Sequence, residues 1–154
     1  MTMIEEIRDE NLKYLITKHI LSALPEWFAD PRAVERYAEE SKHQAFFAFS
    51  KNAEVIGFIS FEIHHLHTGE IIVMGVKPTH RRKGIGKLLF QEAETYLKNH
   101  GCDYVKVKTL AEEANYEPYE QTRKFYVAMG FEPVKTTTEV WGGDNPCLIM
   151  ENRI

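Results

Sequence analysis

The chain has 154 residues, 44% of them hydrophobic and 27% charged, and its 19 Lys and Arg against 23 Asp and Glu leave a formal net charge of −4. That size suits a single domain over residues 1–154, burying about two-thirds of its unfolded surface, while the acidic balance argues against nucleic acid as the main partner, which wants a broad basic face. No apolar run reaches membrane-spanning length, and the acidic first ten residues lack the apolar core of a signal peptide, so a cytoplasmic protein with no membrane partner is expected.

Residues 3–7 read as a short first strand. Leu12, Leu15, Ile16, Ile20 and Leu24 then recur near helical spacing until Pro25 stops the pattern. Asp30 followed by Pro31 is an N-cap with proline at the first helical position, which predicts a second helix over residues 31–40 with Val34, Tyr37 and Ala38 inward. Residues 44–50 and 55–63 are aromatic and β-branched runs around the polar turn Lys51-Asn52-Ala53-Glu54, an antiparallel hairpin. A strand over residues 70–77 follows. Leu88, Leu89, Ala93, Tyr96 and Leu97 mark one face of a helix from about Gly84 to Asn99, with Gly101 at its C′ position. Residues 103–110 alternate as a strand, residues 122–129 form a last helix ended by Gly130, and residues 133–140 and 147–152 give two final strands. The implied fold class is mixed α/β around one sheet.

The most informative stretch joins the strand ending at Val76 to the following helix through His80-Arg81-Arg82-Lys83-Gly84-Ile85-Gly86-Lys87. The first turn of a helix presents N–H groups without intrahelical partners and the positive end of the macrodipole, so a phosphate placed there meets both. Gly84 and Gly86 allow close backbone approach, and Arg81, Arg82 and Lys83 add charge. A nucleoside-triphosphate loop would need glycine at Arg81 and Ser or Thr at Leu88; a dinucleotide fingerprint would need glycine at Leu89. Both fail.

What remains is Arg-x-x-Gly-x-Gly, formed by Arg81, Gly84 and Gly86, which resembles the acetyl-CoA signature of the GCN5-related N-acetyltransferase (GNAT) family. A second block, Thr122-Arg123-Lys124-Phe125-Tyr126-Val127-Ala128-Met129-Gly130-Phe131, is similar to that family's late helix, and the two come in the family's order. The resemblance implies a GNAT-like fold of six to seven strands, mostly antiparallel, with helices on both faces. It also implies acetyl-CoA as co-substrate without a metal, and direct transfer of acetyl to a small-molecule or peptide amine. Backbone of Met74, Gly75 and Val76, the turn from Arg81 to Lys87, and Asn115, Tyr119, Phe125 and Tyr126 would line the acetyl-CoA. Homodimers are common among such proteins.

Acetyl transfer from a thioester needs a neutral amine, a stabilised oxyanion and a proton for the leaving thiolate. By resemblance, Tyr126 is the general acid and a backbone N–H near Val76 the oxyanion donor. Glu70 lies six residues before Val76, the offset of the catalytic glutamate in the histone-acetylating branch of the family. Strand parity puts it with Ile72, Met74 and Val76, an apolar setting in which a carboxylate would take an ammonium's proton more readily. Glu62 is a weaker competitor. His64, His65 and His67 fall at a hairpin turn without a fourth ligand at metal-site spacing and read as a polar loop, one of them able to assist proton transfer. Cys102 and Cys147 lack metal or disulfide spacing and read as small buried hydrophobes. The acidic remainder, including Glu112, Glu113, Glu117 and Glu120, suits a cationic amine or a solvated surface. Two rivals remain: a non-catalytic acyl-CoA-binding module on the same fold, and a nucleic-acid binder using residues 80–83 with Lys87, Lys106 and Lys108.

Overall fold

Strands and helices are interspersed along the chain in the computed structural model, which describes residues 1–65 and 67–154. In order they are β1 (Thr2–Glu6), α1 (Glu10–Ser22), α2 (Pro31–Ser41), β2 (Ala45–Lys51), β3 (Glu54–Ile63), β4 (Thr68–Val76), α3 (Ile85–Asn99), β5 (Tyr104–Leu110), α4 (Pro118–Ala128), β6 (Glu132–Thr137) and β7 (Cys147–Arg153). The strands form one seven-stranded mixed sheet in the order β1-β2-β3-β4-β5-β7-β6. The pairs β1/β2, β2/β3, β5/β7 and β6/β7 are antiparallel, and β4/β5 is parallel. A parallel neighbour needs a crossover, here supplied by α3.

By internal contacts the chain divides into two compact units, Met1–Glu62 with Ile72–Tyr96, and Ile63–Ile71 with Leu97–Ile154. In the first, α1 and α2 cover one face of the sheet. Ile16, Ile20, Leu21 and Val34 pack with Phe46, Ala48, Phe58 and Val73 in one buried cluster. On the opposite face, Phe47 and Phe61 stack on each other and meet Tyr96 of α3 edge-on. Two glycines make this close packing possible. A Cβ on Gly57 would lie 3.2 Å from Leu89 of α3, and one on Gly75 would lie 3.0 Å from Leu24 and 3.1 Å from Ile20.

The buried stripe of α1 differs from the one its leucines suggest. Lys13, Ile16, Thr17, Ile20 and Leu21 face inward, whereas Leu12 and Leu15 are exposed. Lys13 can be buried because its ammonium donates to the Gln44 carbonyl at 2.7 Å. In α3, Phe90 takes the buried place expected of Leu88, which is exposed. Asp30 caps α2 by accepting from the Arg32 N–H at 2.9 Å. The hairpin turn puts both Asn52 and Ala53 at positive φ, the geometry that matches strand twist.

In the second unit, β5 carries Val105 and Val107 and β7 carries Met150 in the core with Phe131. Helix α4 starts at Pro118, four residues earlier than its apolar pattern indicates, because proline suits the first helical position. It ends in the arrangement that glycine favours: Gly130 has φ 105° and the Phe131 N–H donates back to the Tyr126 carbonyl at 2.9 Å. Among the described residues no helix is long and apolar enough to cross a membrane.

Candidate active site

The turn before α3 has the features an anion requires. Gly84 adopts φ 77°, a Cβ there would meet nothing within 4 Å, and its carbonyl accepts the Leu88 N–H at 3.1 Å, so α3 begins directly after it. Ile85, Gly86 and Lys87 therefore form the first turn, whose N–H groups have no carbonyl four residues back within the helix. No acidic residue lies in that turn, and Arg82, Lys83 and Lys87 are exposed around it. Ile85 anchors the turn by burying its side chain. Arg82 itself sits at φ 60°, a conformation in which a non-glycine residue is strained and whose persistence marks a shaped loop.

Arg81 is placed differently from its two basic neighbours. Its guanidinium lies over the Trp27 ring, 4.7 Å from the centroid, and 3.8 Å from the Glu26 carboxylate. It ties the turn to the segment between α1 and α2. In the same unit, Met74 and Val76 are half-buried and Gly75 is buried at the end of β4. The parallel ladder of β4 with β5 runs from Thr68 to Ile71, so β4 continues for five residues beyond its last residue paired with β5.

The second unit holds Glu70, Asn115, Tyr119, Phe125 and Tyr126. Glu70 points inward and is 6% exposed, but its neighbours are basic rather than apolar. Its carboxylate meets His64 Nε2 at 2.7 Å, Lys108 Nζ at 3.4 Å and Lys106 Nζ at 3.9 Å. The parallel register explains this: Glu70 is opposite Lys106, and Lys108 lies two residues on, on the same face of β5. Local sequence pattern does not specify that meeting, since it depends on which strands become neighbours. The alternation of Lys106 and Lys108 between buried Val105, Val107 and Thr109 was the one available hint. Glu62, in the first unit, accepts a hydrogen bond from Gln44 at 3.2 Å.

Tyr126 is 5% exposed and held edge-on between Phe125 and Phe131, each ring centroid 5.4 Å from its own. The phenol is thus fixed by packing on both sides. Asn115 is exposed and left-handed, φ 57°, with its N–H donating to the Glu112 carbonyl at 2.9 Å, so it closes the turn before α4. The Tyr119 and Tyr116 rings lie 6.1 Å apart. Arg123 donates to the Leu110 carbonyl at 2.6 Å, fixing α4 to the end of β5. An open cleft of about 950 Å³ lies along α4, lined by Asn115, Arg123, Lys124 and Val127 together with Glu117 and Glu120.

Of the three loop histidines, His64 pairs with Glu70, and His67 Nδ1 lies 3.0 Å from the Gly101 carbonyl. No group of three His, Cys, Asp or Glu among the described residues is arranged to hold a metal ion. Cys102 and Cys147 are both buried, and burial pushes both thiols above their ordinary range. Neither is poised as a thiolate nucleophile.

A model of the Acetyltransferase (GNAT) family matches residues 4–131, spanning the turn at Gly84 and the Phe125-Tyr126 block. The chain belongs to the GNAT family. An uncharacterized N-acetyltransferase of Chlorobaculum tepidum, CT2212, is 34% identical over 79 residues, 51% of this chain and 50% of its own length. The UPF0157 protein YqkA of Bacillus subtilis is 29% identical over 103 residues, 67% of this chain and 27% of its own. The chain therefore spans between about a quarter and a half of these curated relatives. Solved GNAT structures share the fold across the whole chain. The ribosomal-protein-S18-alanine N-acetyltransferase of Escherichia coli superposes with TM-score 0.78 at 18% identity, covering 100% of this chain and 94% of that one. PaiA N-acetyltransferase of Thermoplasma acidophilum, solved in complex with coenzyme A, gives TM-score 0.74 at 22% identity, covering 100% and 99%.

Proposed function

We propose that this GNAT protein is an acetyl-CoA-dependent N-acetyltransferase that moves acetyl to a primary amine by direct transfer in a ternary complex. The observation that carries the proposal is the opening of α3: Gly84 at positive φ in open space, free first-turn amides and exposed Arg82, Lys83 and Lys87. These fit a diphosphate, with each amide bond to a charged oxygen contributing roughly 1.5–3 kcal/mol. The coenzyme-bound relative from Thermoplasma acidophilum supports the same ligand. In this reading, the backbone of Met74, Gly75 and Val76 lines the thioester arm, and the Val76 N–H donates to the carbonyl oxygen as negative charge develops there.

Tyr126 donates its phenolic proton to the departing sulfur. Its edge-on contacts with Phe125 and Phe131 hold the hydroxyl in one direction, which lowers the entropy lost on reaching the reactive geometry. Glu70 serves the deprotonation of the incoming ammonium. Asn115, Tyr119 and Phe125 flank the pantetheine. The buried cysteines support transfer without an acyl-enzyme, and the commitment of Lys106 and Lys108 to Glu70 speaks against the nucleic-acid alternative.

Thiol release from acetyl-CoA, followed across a panel of alkylamines, amino acids, aminoglycosides and peptides, tests the proposal. Saturable release with at least one amine is expected. Coenzyme binding without release for any amine would favour a non-catalytic acyl-CoA-binding module.

A further inference from the structure

We infer that the segment between α1 and α2 braces the coenzyme site at two points, and that Trp27 is the positioning residue for the diphosphate turn, acting through Arg81. This deepens the coenzyme reading of the α3 opening and rests on it. Residues 75–81 meet that segment at both of their ends. At one end Leu24 packs so closely on Gly75 that an added Cβ would lie 3.0 Å from it. At the other, the Arg81 guanidinium lies over the Trp27 ring. Leu24 and Trp27 belong to a single turn, closed by the Trp27 and Phe28 N–H groups, which donate to the Leu24 carbonyl at 3.1 and 3.0 Å. One turn therefore touches both the strand end assigned to the thioester arm and the loop assigned to the diphosphate.

That turn is itself held in place. Trp27 and Phe28 pack against the buried cluster under α1 and α2, and Phe28 meets Tyr37 of α2 edge-on, with ring centroids 5.8 Å apart. Between its two contacts the loop is pinned on β3. The Lys77 N–H donates to the Ile56 carbonyl at 2.9 Å, and the Lys77 ammonium donates to Glu54 at 2.8 Å.

What the brace supplies is a fixed backbone. Directly after Arg81 the chain places Arg82 at φ 60° and Gly84 at φ 77°, and a non-glycine residue keeps a left-handed conformation only where its flanks determine it. Ile85 holds the downstream flank by burying its side chain, and Arg81 on Trp27 holds the upstream one. The ring carries more of this contact than the carboxylate does. Arg81 and Glu26 are 39% and 47% exposed and 3.8 Å apart, an ion pair that water screens, whereas indole is the best of the aromatic faces for a guanidinium. Amides already aimed at a diphosphate lose less freedom when it binds, so a contact the coenzyme never touches raises its affinity. By reciprocity, a coenzyme that settles the turn also settles residues 24–28.

A double-mutant cycle on coenzyme A affinity, measured by calorimetric titration, tests the brace. Trp27→Leu keeps an apolar side chain but removes the aromatic face, so it should weaken coenzyme A about two- to fivefold, and Trp27→Phe should recover most of that loss. Arg81→Ala should weaken binding to a similar degree, and Trp27→Leu added to Arg81→Ala should do nothing further. Additive losses would make Trp27 a packing residue alone and overturn the inference. Tighter binding in Trp27→Leu would mean that the ring withholds Arg81 from the phosphates, and would overturn it as well.

Amide hydrogen exchange gives a second readout that alters only the half-exposed Arg81. Without ligand, the Leu88 N–H, bonded to the Gly84 carbonyl, should exchange faster in Arg81→Ala than in the wild type. Coenzyme A should slow exchange of the Trp27 and Phe28 amides in the wild type but not in Arg81→Ala. Unchanged Leu88 exchange, or equal protection of the two amides in both proteins, would contradict the brace. Should the wild type bind no coenzyme A, the coenzyme reading is what fails, and Leu88 exchange still decides whether Arg81 holds the turn.

Discussion

The Arg81 guanidinium lies 4.7 Å from the centroid of the Trp27 ring, and that contact sets it apart from the two basic residues that follow it. In the anion-binding turn, Arg82 and Lys83 project into solvent while Arg81 is held by Trp27 and by Glu26 at 3.8 Å. Arg81→Ala should therefore act mainly on stability, lowering it by about 0.5–1 kcal/mol as expected for a surface cation–π contact. Arg82→Ala and Lys83→Ala should leave thermal midpoints near the wild type and weaken coenzyme A more than Arg81→Ala does. Thermal denaturation and calorimetric titration of the three variants check this ordering.

Tyr126→Phe removes one oxygen and keeps the ring that packs between Phe125 and Phe131. Coenzyme affinity and melting temperature should stay close to the wild type, while kcat drops about 10²-fold or more, as for loss of a general acid. Steady-state kinetics with a saturating amine measures it. Unchanged turnover would remove Tyr126 from the chemistry.

Gly75 and Gly84 should respond to alanine in opposite ways. At Gly75 the new methyl would meet Leu24 at 3.0 Å and Ile20 at 3.1 Å, both buried, so Gly75→Ala should cost roughly 1–3 kcal/mol of stability. At Gly84 the space is open but φ is 77°, so Gly84→Ala should cost about 1 kcal/mol and weaken coenzyme A by distorting or crowding the phosphate turn. Denaturant titration with and without coenzyme A separates the two effects.

Stability should fall in acid partly through two surface carboxylates. The Arg32 backbone N–H, followed by its guanidinium, holds Asp30 below the usual carboxylate range, and the hydrogen bond from Lys77 does the same for Glu54. Each carboxyl is a stronger acid folded than unfolded. The stability it adds is complete above its unfolded pKa, about 3.9 for Asp and 4.3 for Glu, and is lost as pH falls through the lower folded value. Asp30→Asn keeps a capping oxygen for α2, so Asp30→Asn with Glu54→Gln should flatten the acid limb of melting temperature against pH.

Much of the architecture was legible because it is written in local chemistry. Asp30 before Pro31 announces α2, Gly101 and Gly130 end α3 and α4 with positive φ, and Asn52-Ala53 turns the hairpin. What escaped depends on partners distant in sequence. Periodicity offers α1 two overlapping stripes, and the choice of Lys13 and Thr17 over Leu12 and Leu15 is made by the sheet it packs on. Leu88 and Phe90 of α3 exchange places for the same reason. Strand parity turned Glu70 inward, but the ring and ammonium groups awaiting it come from a loop and a neighbouring parallel strand. The partnership of Arg81 with Trp27 likewise spans 54 positions of chain.

Calorimetric titration of acetyl-CoA into the purified protein tests the central claim most directly. The account predicts saturable heat with one site per chain, weakened by Lys83→Glu and by added salt, since charge at the opening of α3 contributes to the affinity. No heat at coenzyme concentrations up to the millimolar range would contradict it.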